Sequence, residues 1–355
     1  MRGSCDARNR MPAGTAIVRV VGWTRVCALA LVALAPTAQS APLFEAQAPI
    51  SVTLEGPLTS LMRARGDQRQ ELPFTLRLAD GSVLDAEVRT RGNFRREECA
   101  FAPLRLNFKQ NEVADTAFSG QDKLKLVTHC KSGRASQTNA LEEFVAYGIF
   151  NLITEVSFQV RLLRVTYVDS ERPRSGETVK WAFVIEDPQA LAERLRGEHI
   201  EPHHVSRNDL DVTHATQVAL FQYLISNTDY SPVAALEGRS CCHNMKLIRT
   251  HDALFSVPYD FDMSGLVNAS YAGPNPVVQQ DNVRRRIYRG FCTDQATLAG
   301  VVDGIRPLRD QILALFMSTP GFDASQIKRD MAYIDGFLAQ LNSENALSRF
   351  EQTCR

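Results

Sequence analysis

The chain predicts an α+β protein of two lobes, strand-rich toward the N-terminus and helix-rich toward the C-terminus, with a cleft between them. Three observations predict this. Short segments with period-2 alternation fill the first third of the 355 residues, apolar runs at helical spacing dominate from about residue 284 onward, and the two regimes meet near 184–188. The division is residues 41–186, a strand-rich lobe with one long helix, and residues 187–355, a helix-rich lobe that contains a polar-ended hairpin. Residues 1–40 are set aside: Arg19 and Arg25 precede the apolar run VCALALVALA and the small-residue stretch Ala38-Gln39-Ser40, the pattern of an export signal cleaved before Ala41. That run is too short to span a bilayer, and no later stretch is long enough.

The N-terminal strands are justified one by one. PISVTLEG alternates, and LPFTLRLADGSVLDAEVRTRG reads as strand, Asp80-Gly81 turn, strand. APLRLNFK sets Leu104, Leu106 and Phe108 against Arg105, Asn107 and Lys109; KLKLV sets Leu124 and Leu126 against Lys123 and Lys125. Together they predict an antiparallel sheet. A helix follows, with Asn139 and Glu142 at capping spacing and Leu141, Phe144, Val145, Ile149 and Leu152 on its apolar face. VRLLRVTYV and TVKWAFVIE are two more strands, joined by a polar linker near 170–178. Pro188 opens a short helix, and Asp211 caps an apolar one over 212–226. HNMKLIRT and ALFSVPYDF form the hairpin, and LRDQILALF and IKRDMAYIDGFLAQL are helices.

Composition excludes some classes of function. Without residues 1–40, 35 basic and 39 acidic side chains remain, with no basic block, so nucleic acid is not an expected partner. No Gly-x-Ser-x-Gly or His-Glu-x-x-His hydrolase signature occurs. Six cysteines remain beyond the signal, an even number that predicts disulfides. Cys99 is expected to pair with Cys130. Cys241 and Cys242 are adjacent, about 3.8 Å apart across a trans peptide, and are expected to bridge separately to Cys292 and Cys354. A zinc site is the alternative for these cysteines, but no Cys-x-x-Cys spacing supports it.

Chemistry concentrates between Asn227 and Asp262. Asp260 and Asp262, two apart in an expected strand, would project together while Phe261 faces the core. Adjacent carboxylates repel, and a hard cation such as Mg²⁺ relieves the repulsion. Asn244 opens the neighbouring strand and offers an amide oxygen; Asp229 follows a buried helix, where a scaffold can aim a base. Each residue also has a plainer reading. The aspartates suit a solvated strand face, Asn227 and Asp229 suit a helix end, Lys123 and Lys125 suit an edge strand, and Glu142 suits a cap.

The order of these residues is similar to that in protein kinases, and more closely resembles the spore-coat CotH family of secreted atypical kinases. The resemblance rests on RTRGN (Arg89–Asn93), KLKL (Lys123–Leu126), ALEEFVAYGIFN, WAFVIED, NTDYSP followed by HN, and PYDFD, and spans about residues 83–268. It implies a two-lobed protein-kinase-like fold with an antiparallel-sheet N-lobe and a mainly helical C-lobe. It further implies transfer of the ATP γ-phosphate to a hydroxyl acceptor with Mg²⁺ or Mn²⁺. By the same resemblance Lys125 or Lys123 contacts the phosphates, and Glu142 or Glu143 pairs with that lysine. The arginines and glycine of RGNFRR (Arg91, Gly92, Arg95 and Arg96) lie over the phosphates, and the backbone near Glu186 lies against adenine. Asp229 serves as base, and Asn244 and Asp260 hold the metal with Asp262 assisting. The sequence departs from kinases in lacking a Gly-x-Gly-x-x-Gly loop and in the insertion VAALEGRSCC inside the catalytic loop. The alternative function is a binding or envelope structural protein of the same shape without turnover.

Overall fold

The alternating strands build a barrel. In the computed structural model, which describes residues 42–64, 70–235, 238 and 240–355, seven strands close on themselves in the order β1-β2-β3-β4-β5-β7-β6. They are β1 (Ile50–Gly56), β2 (Leu72–Leu78), β3 (Val83–Thr90), β4 (Leu104–Phe108), β5 (Lys123–Val127), β6 (Val160–Asp169) and β7 (Thr178–Ile185). The expected export signal lies outside the described residues. Neighbours pair antiparallel except at the closure, where β6 runs parallel to β1 from Ile50 opposite Leu163 to Gly56 opposite Asp169. At the end of β1 only glycine fits, because a Cβ on Gly56 would stand 2.3 Å from the Phe74 ring.

This closure overturns the expectation of a two-lobed protein-kinase-like fold with an open antiparallel sheet. Each strand buries one set of alternate residues inside the barrel, as Leu54, Leu76, Val88, Leu106, Leu124 and Val165 show. The C-terminal half of β7 is not solvated on its outer face. Phe183 and Ile185 join a second hydrophobic cluster with the helices, while Ala182 and Val184 point inward. That explains the unbroken apolar run Ala182–Ile185, since a strand buried on both faces needs no polar alternation. The helical cluster therefore draws residues from both sides of the expected boundary at residue 186, and the described residues belong to one compact unit.

Around the barrel lie α1 (Pro42–Glu45), α2 (Leu58–Arg63), α3 (Phe94–Glu98) and α4 (Arg134–Ile153). Then come α5 (Pro188–Arg194), β8 (Glu198–Ile200), α6 (Val212–Ile225), β9 (Met245–Arg249) and β10 (Leu254–Pro258). The chain ends with α7 (Gln295–Ile305), α8 (Arg309–Ser318), α9 (Ala324–Leu341) and α10 (Ala346–Thr353). The Asp211 cap of α6 forms as expected, accepting from the His214 N–H at 2.7 Å, and at α5 Asp187 caps the helix that Pro188 opens, accepting from the Gln189 N–H at 2.9 Å. Helix α4 begins at Arg134, so Asn139 and Glu142 lie inside it and form no capping pair. Strand β10 ends at Pro258, before Asp260 and Asp262, which sit in the following turn.

The cysteines pair as Cys99–Cys130, Cys241–Cys242 and Cys292–Cys354. The first pairing is as expected; the other two correct the expectation. The Cys241–Cys242 peptide is cis, with Cα atoms 3.0 Å apart rather than the trans spacing assumed from sequence. Cys354 is carried to Cys292 by the chain end: the Cys292 N–H donates to the Arg355 oxygen at 3.2 Å and the Arg355 N–H to the Gly290 carbonyl at 3.0 Å. Disulfide-bonded cysteines fit an exported protein. Among the described residues no helix is long and apolar enough to cross a membrane.

Closing a loop of 62 residues removes entropy from the unfolded chain. The double variant Cys292→Ser/Cys354→Ser is expected to lose about 4 kcal/mol in denaturant melts, and Cys99 and Cys130 should still appear as a linked peptide pair in non-reduced digests.

Candidate functional site

Three connections converge on one cavity of about 550 Å³. The first, between β3 and α3, brings Arg91 and Gly92, with Arg95 following in α3. The Arg91 N–H donates to the Pro103 carbonyl at 2.8 Å, and Gly92 adopts φ +82°, a conformation for which glycine is favoured. The second follows α6, whose C-cap Ser226 turns into the left-handed region at φ 53°, and it carries Asp229. The third follows β10 and carries Tyr259, Asp260 and Asp262. Lys125 enters from β5, and His243 and Asn244 from the segment before β9.

Of the residues expected from sequence, Arg91, Gly92, Lys125, Asp229, Asn244, Asp260 and Asp262 line this cavity together. Lys123 does not: it is half-exposed and pairs with Asp122 at 3.4 Å. Glu186 does not line it either. Its buried carboxylate takes a two-point contact from Arg194, with Nε and Nη2 both at 2.9 Å, and also accepts from the Gln159 N–H at 3.0 Å. The Glu186 N–H itself donates to the Gln159 carbonyl at 2.9 Å, so this backbone group serves the fold.

The expected pairing of Lys125 with Glu142 or Glu143 is not formed. Glu142 faces Arg329 at 3.4 Å, and Glu143 faces Arg95 at 3.3 Å. The Lys125 ammonium lies over the Tyr259 ring instead, 4.3 Å from its centre. Burial pushes the Lys125 pKa down to about 7, and the positive charges of Arg91 and Lys246 add to the effect.

Asp229 is held at two points. His243 Nε2 lies 2.7 Å from the Asp229 Oδ1, within hydrogen-bond distance. The Asn244 Nδ2 donates to its Oδ2 at 3.0 Å and to its carbonyl at 2.7 Å. Asn244 therefore keeps its Oδ1 clear of these contacts. Both Asn244 (φ 53°) and Asp260 (φ 68°) are left-handed, and the Asp260 N–H donates to the Tyr147 hydroxyl at 2.9 Å. This turn brings Asp260 and Asp262 to the cavity, the role the sequence assigned to strand alternation. Phe261 between them is fully buried against Tyr147 and Phe221, as expected.

Behind the cavity Arg95, 8% exposed, joins three elements. Its Nη1 donates to Glu143 at 3.3 Å, its Nη2 to the Thr128 carbonyl at 2.9 Å, and its Nε faces Asp262 at 3.6 Å. The Tyr271 hydroxyl donates to the same Asp262 oxygen, Oδ2, at 3.0 Å. Burial pushes the Asp262 pKa up to about 7, reinforced by the charge of Asp260, and pushes Glu143 up to about 8. Arg95 opposes both shifts.

The lining carries six cationic side chains, Arg89, Arg91, Arg95, Arg105, Lys125 and Lys246, against the four carboxylates Glu201, Asp229, Asp260 and Asp262. A lining that mixes cations with carboxylates, Lys246 meeting Glu201 at 3.0 Å and Arg95 facing Asp262 at 3.6 Å, suits a polyanion presented together with a metal ion. Among the described residues no three His, Cys, Asp or Glu side chains are grouped to hold a metal. Asn244 and Asp260 fit the smaller share of ligands that Mg²⁺ takes from protein when phosphate oxygens and water supply the rest. Sequence reasoning missed His243 and Tyr259, and it gave Arg95 a place over the phosphates, whereas Arg95 is held by Glu143, the Thr128 carbonyl and Asp262. The adjacency of His243 to Asn244 was the one available signal, because a residue next to a site residue shares its loop. No known protein-family model matches the chain, and no curated protein matches it in sequence.

The raised carboxyl pKa values make a stability prediction. Folded Glu143 holds its proton up to about 8, against 4.5 for the unconstrained group. The stability it contributes is full below that lower value and is lost as pH rises toward the upper one. Lys125 is charged in both states below its folded value of about 7 and adds no slope there. Between pH 5 and 6.5 Glu143 contributes a falling slope to the unfolding free energy, which buried His129 and His214, lowered to about 4, oppose. Glu143→Gln should remove up to about 1.4 kcal/mol per pH unit of falling slope relative to the unaltered protein, read from urea melts at several pH values.

Proposed function

We propose that this cavity binds ATP with Mg²⁺ or Mn²⁺ and moves the γ-phosphoryl group to a hydroxyl acceptor, in a protein that works outside the cytoplasm, in a periplasmic or extracellular setting. The observation that carries the reading is the gathering of Arg91, Gly92, Lys125, Asp229, Asn244 and Asp260, far apart in sequence, around one cavity. Arg91 and Lys125 neutralise phosphate charge, and the left-handed turn at Gly92 lets backbone approach the ligand closely. The depressed Lys125 pKa favours an anionic guest, whose charge restores the proton to the amine. Asp229, fixed by His243 and Asn244, accepts the acceptor's proton as the new O–P bond forms and the bond to the β-phosphate oxygen breaks. Asn244 Oδ1 and Asp260 would hold the metal, with Asp262 assisting from its place beside Arg95. Bound metal supplies charge neutralisation at the phosphate oxygens.

A second reading, nucleotide binding without turnover, is favoured by one observation: Lys125 lies on Tyr259 and has no glutamate from α4. Label transfer from γ-phosphate decides between them.

ATP with Mg²⁺ or Mn²⁺ is expected to raise the melting midpoint, by about 2.7 kcal/mol of stability at a hundredfold excess over Kd. Lys125→Ala should abolish that shift. Asp229→Ala should keep it while lowering label transfer by roughly 100-fold or more. No shift at millimolar nucleotide contradicts the proposal. A shift without transfer in the unaltered protein supports the second reading.

A further inference from the structure

A second cavity, of about 450 Å³, lies behind the loop that carries Asp229 and shares no lining residue with the first. Arg285, Arg286, Arg349 and Arg355 line it, and no aspartate or glutamate does. Tyr288 and Phe350, with ring centres 4.8 Å apart, supply an aromatic wall. Like charges repel, and here the fold gathers them by other means. Arg286 is fixed by donating to the Leu224 and Tyr333 carbonyls at 3.0 and 2.6 Å while lying over the Tyr333 ring. Arg355 is anchored through the adjoining Cys292–Cys354 bridge, its N–H bond to Gly290, and its main-chain oxygen, which accepts from Arg207 at 3.2 Å and from Cys292. Arg285 meets Asp281 at 3.2 Å in an exposed pair, a contact of little strength in water. Among the described residues Arg349 and Arg355 form no side-chain ion pair.

We infer that this cavity is a second binding site, for a small phosphate monoester with a flat apolar body. Guanidinium forks match phosphate oxygens two at a time, and the Tyr288–Phe350 wall suits a ring. The site also touches the catalytic loop from behind. The segment that lines it continues into Gln280 and Arg289, which hold Thr228 and Tyr230: the Thr228 hydroxyl donates to Gln280 at 3.2 Å, and Arg289 donates to the carbonyls of both residues. The inference does not rest on phosphoryl transfer at the first cavity.

Titration calorimetry with phenyl phosphate at low ionic strength tests it on the full chain. To remove the first cavity from the measurement, binding is compared in Arg91→Ala/Lys125→Ala, with and without Arg349→Ala/Arg355→Ala. Saturable binding should persist in the first background and weaken by about tenfold or more in the second, and inorganic phosphate should bind more weakly than phenyl phosphate. Equal affinity with and without Arg349 and Arg355, or no saturable binding once the first cavity is disabled, overturns the proposal. Should circular dichroism show the fourfold variant unfolded, Arg349→Gln in the same background replaces it; this side chain is exposed, and its loss should still weaken binding several-fold.

Discussion

A buried arginine cannot stand alone, and Arg95 is the group around which the site is organised. Removing a guanidinium from water is costly unless carboxylates and carbonyls replace the lost hydration. Here the replacements come from three places: Thr128 after β5, Glu143 on α4 and Asp262 after β10. Satisfying Arg95 therefore draws the α3 connection, the long helix and the acidic turn to one point. The same arrangement explains why Asp262 and Glu143 hold protons to unusually high pH. Burial disfavours their charged forms, and a single positive charge does not offset several neighbouring carboxylates.

In front of this anchor the cavity is built from connections rather than from element interiors, as expected where a rigid scaffold presents loops. Three of its residues, Gly92, Asn244 and Asp260, occupy left-handed backbone. For a non-glycine residue that conformation persists only where surrounding contacts impose it. Asn244 is tied to Asp229, and Asp260 to the Tyr147 hydroxyl, so hydrogen bonds hold both turns in place. Lys125 lies on Tyr259 rather than on a carboxylate, while Glu143 and Asp262 are taken by Arg95 and Glu201 by Lys246. A phosphate guest would supply Lys125 with the anionic partner it lacks here.

The strands, the helix capped by Asp211 and part of the cavity's lining (Arg91, Gly92, Lys125, Asp229, Asn244, Asp260 and Asp262) were legible in the sequence, the elements because each rests on a local pattern. Alternation marks Leu104–Phe108 and Lys123–Val127 as strands, and Asp211 sits where a cap belongs. The closure was not legible. Pairing of β1 with β6 joins segments about a hundred residues apart, and nothing in either segment's own period distinguishes a parallel neighbour from an open edge. The acidic pair was assigned to a strand because Phe261 alternates with it, yet the same three-residue pattern fits a turn whose middle residue is buried. Glu142 and Glu143 are adjacent on a helix buried on several sides, so sequence could not say which would meet a cation or that the cation would be arginine. The cysteine pairing failed where it depended on a trans peptide and on the path of the last helix.

The central claim is that Asn244 and Asp260 hold a metal ion while Arg91 and Lys125 hold the phosphates it accompanies. Anomalous diffraction from crystals grown with Mn²⁺ and a non-hydrolysable ATP analogue tests this directly. The account predicts a manganese peak within coordination distance of Asn244 Oδ1 and an Asp260 oxygen, with phosphate density between it and Lys125. Manganese and nucleotide bound elsewhere, with this cavity holding only water, would contradict it.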